Sequence, residues 1–585
     1  MHELLTNDPG RFMLLLSNEA IVRGAIEAGL AVSAAYPGTP SSEIGNNLFQ
    51  IAQDPSSDIY FEFSVNEKVA MEVTAAASAA GLRTLTSMKH VGMNVASDVL
   101  MTLAYMGTKG GMVIVCADDP SLHSSQNEQD NRFYAQMASL PVLEPTSPQE
   151  AKDMTMEAFD LSEALELPVI LRITTRTAHV RGPVKLGNIP KTKKIRGHFE
   201  KAPMRWVAVP AVARTRHKVL LDQFEKARRL ANTSRFNTLS GSGKTGIIAT
   251  GVSACYVADI LEELHLFDRV RFLRLGFVYP QPRDLVRAFL AGLDQVLVVE
   301  ELEPFQENTI KVVAQEMGLT LPIFGKASGH IPRLYELTPR IVEEAICRIL
   351  SLDFPSPPLP DLGALPSLPQ RPPFLCKGCP HTETYGVIKE ALSRLGLLEQ
   401  TIFPTDIGCY TLGLLPPIQM ADYLLCMGSS IGSSAGFSLS MDKKVVSFIG
   451  DSTFFHSGIP SLVNAVHNGH RFCLVILDNG TTAMTGHQPN PGIRLTPPGY
   501  SERHPRISIE AIVRACGVRN LAVINPYKKK EAVETVLEIF AKDELSVIIS
   551  EAPCILYLKR MEGKTQKRPH ITEQTRADDK GEDRT

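Results

Sequence analysis

Short unbroken apolar runs alternate with longer amphipathic stretches along most of this chain. GLAVSAAY (29–36), GGMVIVCAD (110–118) and LPVILRITT (167–175) predict strands, and the Ala-rich NEKVAMEVTAAASAAG (66–81) predicts a helix. Apolar runs without alternation belong to strands buried on both faces, as in a parallel sheet with helical crossovers. A second block of this kind runs from KTGIIATG (244–251) through DQVLVVEE (294–301) to about residue 350. A third contains KKVVSFIG, a helix at GIPSLVNAVHNG, RFCLVILDN and LSVIISEAP. The expected fold is α/β, with three doubly wound parallel-sheet domains.

The pattern breaks in three places. Residues 183–243 carry PKTKKIRGHFEKAPMRW and HKVLLDQFEKARRL, basic and partly helical, and read as a solvated linker with a helix in it. FPSPPLPDLGALPSLPQRPPF (354–374) is too rich in proline for a central element. MEGKTQKRPHITEQTRADDKGEDRT at the end has almost no apolar residues and is expected to be disordered. The expected organisation is a first domain at 1–182, a basic linker at 183–243, a second domain at 244–352, a Pro-rich linker at 353–374, a third domain at 375–560 and a tail at 561–585. SGSGKTG is not a phosphate loop. That motif needs a glycine where Thr238 stands and should lead into a helix, whereas GIIATG reads as a strand.

Composition narrows the classes. The formal net charge of -3 over 585 residues argues against nucleic acid as a partner. No apolar run reaches membrane-spanning length, and MHELLTNDPGRF lacks the features of a signal peptide. A cytoplasmic protein without membrane partners is expected. Ten cysteines over this length are too sparse for a disulfide scaffold and read as buried thiols or metal ligands.

Two strand ends carry the candidate chemistry. GDSTFFHSGIP follows KKVVSFI, and DNGTTAMTGHQ follows RFCLVIL, so Asp451 and Asn479 fall at the carboxyl ends of buried strands, where parallel sheets bind ligands. A helix after GDSTFFHSGIP would aim its N-terminus at the same place, and helix N-termini favour phosphate. Asp451, Asn479 and a backbone carbonyl near Thr481 supply hard oxygens suited to Mg²⁺ with a diphosphate completing the shell. On spacing alone, two polar residues capping loops explain the pair equally well.

The pair resembles the GDG…NN motif of thiamine diphosphate (ThDP) enzymes, in the variant form GDS…DNG. The longer stretches AAYPGTPSSEI, SVNEKVAMEVTAAASAAG, SMKHVGMNVASD, ADDPSLHSSQNEQDNRFYA, TDIGCYTLG, GDSTFFHSGIPSLVNAVHNG and LDNGTTAMTGHQPNPG resemble the ThDP-dependent 2-oxoacid:ferredoxin oxidoreductase family, in particular its indolepyruvate-type alpha subunits. The resemblance runs from about residue 12 to 558. It implies a pyrimidine-binding first domain, a transketolase-C-like second domain and a diphosphate-binding third domain.

The resemblance also implies roles. Glu67 would bond the cofactor's aminopyrimidine and promote loss of the thiazolium C2 proton; otherwise it is a first-turn helix acid. Thr39 would hydrogen-bond substrate; otherwise it is a turn hydroxyl beside Pro40. His90, His123 and His456 lie in motif-rich loops and are candidate donors. Gly428 and Ser429, in MGSSIGSSAG, would approach the diphosphate with Gly450 and Ser452, or else form a tight helix contact. Met484, where pyruvate-specific relatives carry a polar residue, suits an aromatic 2-oxoacid.

Cys376 and Cys379 form a CxxC in CKGCPH, with Cys409 and Cys554 further on. Relatives use such a set for a [4Fe–4S] cluster near the ThDP, and four thiolates suit iron–sulfur or zinc. The remaining cysteines read as core. The family's ferredoxin-like domain, with its two C-x2-C-x2-C-x3-C-P runs, has no counterpart after Cys554. Electrons are therefore expected to leave through a separate iron–sulfur subunit or another acceptor, which puts ferredoxin as the direct acceptor in doubt. The resemblance implies CoA as cosubstrate, an aryl 2-oxoacid as substrate, and a small gamma-type subunit in a heterodimer or heterotetramer. Rival expectations are a non-oxidative ThDP decarboxylase and a catalytically silent structural or electron-relay subunit.

Overall fold

The computed structural model describes residues 2–190, 196–354, 373–493 and 504–566, with side chains through residue 561. Most of the Pro-rich stretch and most of the tail lie outside the described residues. The chain forms two compact units, 1–370 and 371–585.

The first unit holds a seven-stranded sheet. Its order is Phe277–Tyr279, Val142–Leu143, Val169–Thr174, Met112–Asp118, Thr84–Lys89, Val32–Ala35 and Tyr60–Phe63. All neighbours are parallel except Phe277–Tyr279 against Val142–Leu143. The five-stranded sheet runs Ile323–Phe324, Gln295–Val299, Thr245–Thr250, Val270–Leu275 and Thr238–Gly241, with the last strand antiparallel. Thr245–Thr250 is the strand predicted at GIIATG. A short antiparallel pair, Phe12–Leu16 with Arg181–Lys185, crosses the boundary expected at 182.

The unbroken apolar runs follow from burial on both faces. In the five-stranded sheet, Ile247, Ala249, Leu297 and Val299 face one core cluster. The intervening Ile248, Leu273, Val296 and Val298 face another, shared with Val113, Ile170 and Leu171 of the seven-stranded sheet.

The basic region is not a solvated linker throughout. Its helix, Pro210–Asn232, buries Leu220, Ala227 and Ala231 in that shared core. Its cations cap another helix. Arg216 donates to the carbonyls of Tyr105 (2.9 Å) and Met106 (3.1 Å), and Arg205 to that of Thr108 (2.7 Å). These carbonyls close the helix His90–Met106, where positive charge is favoured.

The second unit holds a fully parallel sheet ordered Val446–Gly450, Cys473–Asp478, Ser546–Glu551 and Asn520–Ile524. Cys473, Val475 and Leu477 face one cluster, and Leu474 and Ile476 the opposite one. The last helix spans Ile555–Gln566, so it enters the segment expected to be disordered from 561.

Candidate active site

Gly450 ends its strand against the Tyr410 ring; a Cβ there would stand 2.6 Å from that ring. The chain turns at once into helix: Asp451–Thr453 is α-helical, Phe454–Gly458 is a π-turn, and Ile459–His467 is α-helical again. The helix therefore begins inside the motif, earlier than the sequence pattern suggested. The Asp451 side chain accounts for this start. Its Oδ1 accepts the Ser452 N–H (2.8 Å), as an acid in a first turn does.

Asp451 also ties the two strand ends together. Its Oδ2 accepts from the Gly480 N–H (2.9 Å) and from Asn490 Nδ2 (3.1 Å). Burial and then the neighbouring Asp478 charge push the Asp451 carboxyl well above the usual carboxylate range. Asn479 Oδ1 accepts from the Thr481 N–H (3.1 Å), and Thr481 donates its hydroxyl to the Gln488 carbonyl (3.1 Å). Ser452 accepts from the Thr482 hydroxyl (2.9 Å). Asp451, Ser452, Asn479 and Thr481 thus lie together. Met484, in the loop between Thr481 and Gln488, is 52% exposed.

Asn479 has two further partners. Its Nδ2 meets His381 Nε2 at 3.1 Å, and its carbonyl accepts the Cys554 N–H at 3.0 Å. Burial pushes His381 down to about 4, so its ring is neutral and can accept.

Gly428 and Ser429 open the helix Ser429–Ser440, with Gly428 at φ 88. The N–H groups of Gly428 (2.7 Å) and Ser430 (2.9 Å) donate to the buried Asp406 carboxylate, which also accepts from Ile407 N–H (2.9 Å). The Ser429 hydroxyl accepts from the N–H of Leu425 and Cys426. Gly428 rests on Ser457, which is hydrogen-bonded to His456. Two N–H groups at this helix start are thus held by the Asp406 side chain.

The CxxC forms a turn in which Cys379 N–H donates to the Cys376 carbonyl (3.0 Å), and Cys379 begins the helix Pro380–Arg394. Burial raises the Cys379 thiol to about 11, against the pull of the His381 and Thr382 N–H groups. Burial raises Cys409 to about 12, and Cys379, Cys554 and Cys376 add to this through their charges. The four predicted thiols are therefore electrostatic neighbours. Among the described residues, however, no three His, Cys, Asp or Glu side chains stand in ready metal-holding geometry. Cys554 Sγ also lies 3.6 Å from His487 Nε2.

In the first unit, Glu67 is the first residue of the helix Glu67–Ala79, capped by Asn66, whose side chain accepts from the Val69 N–H (2.9 Å). The Glu67 carboxylate lies over Gly92, in the first turn of His90–Met106; a Cβ on Gly92 would stand 2.6 Å from Oε1. Lys89 packs on Gly38, beside Thr39, and donates to the Ser124 carbonyl (2.9 Å). Ser124 Oγ in turn donates to the Thr39 carbonyl (3.2 Å). Burial lowers Lys89, while the charges of Asp119 and Glu67 oppose that. Buried His90 sets Nε2 against the Asn127 carbonyl (3.1 Å), and its Nδ1 has no hydrogen-bond partner among the described residues. His123 lies 3.6 Å from Glu336 and is half-exposed.

The sequence reading missed Asp406, His381 and Asn490. All three stand inside motifs named above, TDIGCYTLG, CKGCPH and LDNGTTAMTGHQPNPG, so their positions were visible but their partners were not.

Two family models match the chain. "Pyruvate flavodoxin/ferredoxin oxidoreductase, thiamine diP-bdg" covers residues 23–225, and "Thiamine pyrophosphate enzyme, C-terminal TPP binding domain" covers 406–550. Proteins named Indolepyruvate oxidoreductase subunit IorA are similar over nearly their whole length. That of Methanothermobacter marburgensis is 48% identical over 99% of this chain and 92% of its own. That of Methanothermobacter thermautotrophicus is 50% identical over 95% and 89%. That of Pyrococcus horikoshii is 45% identical over 95% and 87%. Among solved structures, a 2-oxoglutarate:ferredoxin oxidoreductase from Magnetococcus marinus aligns at 16% identity and TM-score 0.47, covering 58% of this chain and 65% of that one. With matches this extensive, the chain belongs to the family of IorA subunits of indolepyruvate oxidoreductase, within the ThDP-dependent 2-oxoacid:ferredoxin oxidoreductases.

Proposed function

We propose that this chain is the catalytic large subunit of an arylpyruvate oxidoreductase. An aryl 2-oxoacid anion and CoA would give the aryl-acetyl-CoA thioester, CO2, one proton and two electrons. The electrons would pass one at a time to an iron–sulfur acceptor such as ferredoxin, carried by a separate protein. A small gamma-type subunit would complete a heterodimer or heterotetramer.

The strand-end set of Asp451, Asn479 and Thr481 carries this reading. It offers a buried carboxylate, a carboxamide oxygen and backbone, which are hard donors fitted to Mg²⁺ with diphosphate oxygens. Asp451 Oδ2 and Asn479 Oδ1 already draw N–H donors from the same strand-end loop, which fixes both oxygens at the carboxyl end of the sheet. ThDP, when bound, supplies the electron sink for decarboxylation. The residues of this chain would do the rest. Glu67 would hold the proton shared with the aminopyrimidine ring. Thr39 and the unpartnered Nδ1 of His90 would meet the substrate. Ser452, Gly428 and Ser429 would border the diphosphate, with His456 behind them. Met484 would face the aryl group. Cys376, Cys379, Cys409 and Cys554 would hold one [4Fe–4S] cluster, for which four thiolates are a suitable ligand set.

The test is anaerobic viologen reduction by the chain co-purified with its small subunit. Reduction is expected with indolepyruvate or phenylpyruvate, requiring CoA, ThDP and Mg²⁺, and failing with pyruvate. Aldehyde and CO2 without viologen reduction would replace this reading with a non-oxidative decarboxylase. Failure to bind ThDP would replace it with a silent subunit.

A further inference from the structure

We infer that His381 is a positioning residue that fixes the orientation of the Asn479 carboxamide. This rests on the proposed Mg²⁺–diphosphate reading of Asp451 and Asn479. A carboxamide can be turned end for end, which exchanges its oxygen and nitrogen at little intrinsic cost. Only one orientation offers oxygen to a cation. Two partners select it here. The Thr481 N–H can only donate, so the side-chain atom 3.1 Å from it is oxygen. That sends Nδ2 toward His381 Nε2, 3.1 Å away.

His381 can then serve only as an acceptor at Nε2, in the neutral tautomer with its proton on Nδ1. Its placement suits that task. It is buried, its ring is edge-on to Tyr410 at 5.9 Å, and it sits in the first turn of the helix that Cys379 begins. Without an acceptor, a buried N–H of Asn479 would lose its partner, and the amide would lose one of the two contacts that orient it. Groups behind a metal ligand commonly change metal affinity by ten- to a hundredfold.

The experiment uses the full chain with its small subunit and ThDP, with Mn²⁺ as an EPR-visible probe in place of Mg²⁺. His381→Phe keeps a ring and removes the acceptor; its Mn²⁺ affinity is expected to fall at least tenfold. His381→Gln restores an acceptor and is expected to stay within about threefold of the parent. Iron content after anaerobic reconstitution should be unchanged in both, because no thiol is altered. His381→Leu serves as a second acceptor-free variant should the Phe protein fail to fold. Parent-like Mn²⁺ affinity in a folded acceptor-free variant, while Asn479→Ala abolishes binding, would overturn the inference and leave the metal reading standing. Equal loss in the Gln and Phe variants would overturn it too. Unchanged Mn²⁺ binding in Asn479→Ala would remove both.

Discussion

The Glu67 carboxylate lies directly over Gly92, close enough that a single methyl there would stand 2.6 Å from Oε1. Two helix starts meet at this contact, since Glu67 opens one helix and Gly92 lies in the first turn of the next. In an open helix, Gly→Ala adds roughly 0.5–1 kcal/mol of stability. Here the methyl must displace the carboxylate. Gly92→Ala is therefore expected to lower kcat in the viologen assay at least tenfold, close to the loss in Glu67→Gln. Gly396→Ala, at an open position but with φ +65, should leave kcat at the parent value.

Asp406 predicts a stability effect. It is fully buried and accepts three backbone N–H bonds, two of them from the start of Ser429–Ser440. Asp406→Ala leaves those donors unpaired, at about 1–3 kcal/mol for each one that stays buried. Urea unfolding should show a loss of at least about 2 kcal/mol, with Asp406→Asn less affected because it keeps one acceptor oxygen.

The thiol set predicts a pattern of iron content. Cys376→Ser, Cys379→Ser, Cys409→Ser and Cys554→Ser should each lose most of the cluster absorbance after anaerobic reconstitution. Cys473→Ser and Cys516→Ser, which lie in apolar surroundings, should retain it. Retained iron in Cys554→Ser would remove that residue from the ligand set.

Glu301 predicts a pH dependence. Burial raises its carboxyl from the ordinary 4.5 to about 7, opposed by the Leu337 N–H and the charges of Lys326 and Arg172, and reinforced by Glu336. Between those values the folded protein holds a proton that the unfolded chain has released. Stability therefore falls as pH rises through that window. The full gap corresponds to roughly 3 kcal/mol above pH 7. Glu301→Gln keeps an acceptor for Leu337 and cannot ionise. It should gain stability at pH 8, gain little at pH 5, and flatten the profile in denaturant titrations.

The sequence made the strands legible because the parallel sheets are buried on both faces. Val446–Gly450 and Cys473–Asp478 read as apolar runs, and their ends located Asp451 and Asn479. The partners of those ends were not legible. His381 lies 98 residues from Asn479, and Asp406 lies 22 and 24 residues from the amides it satisfies. No periodicity encodes such pairings. The basic stretch misled for a related reason. Arg205 and Arg216 look solvated by composition, and only the tertiary fold brings them to the end of another helix.

Phe277–Tyr279 has a bearing on modularity. This segment, from the second αβ block, is an edge strand of the first block's sheet, and Ile248, Leu273 and Val298 fill the same core as Val113 and Ile170. Arg132 of the first block is fully buried and donates to Glu300 and to the carbonyls of Glu301 and Glu303. A fragment ending near residue 243 would keep the Asp130 pair of that guanidinium but lose Glu300 and the two carbonyls, beside an open sheet edge. The two blocks of the first unit therefore cannot be traded as separate cassettes. Any chimera must take residues 2–354 whole or rebuild the seam, charge by charge.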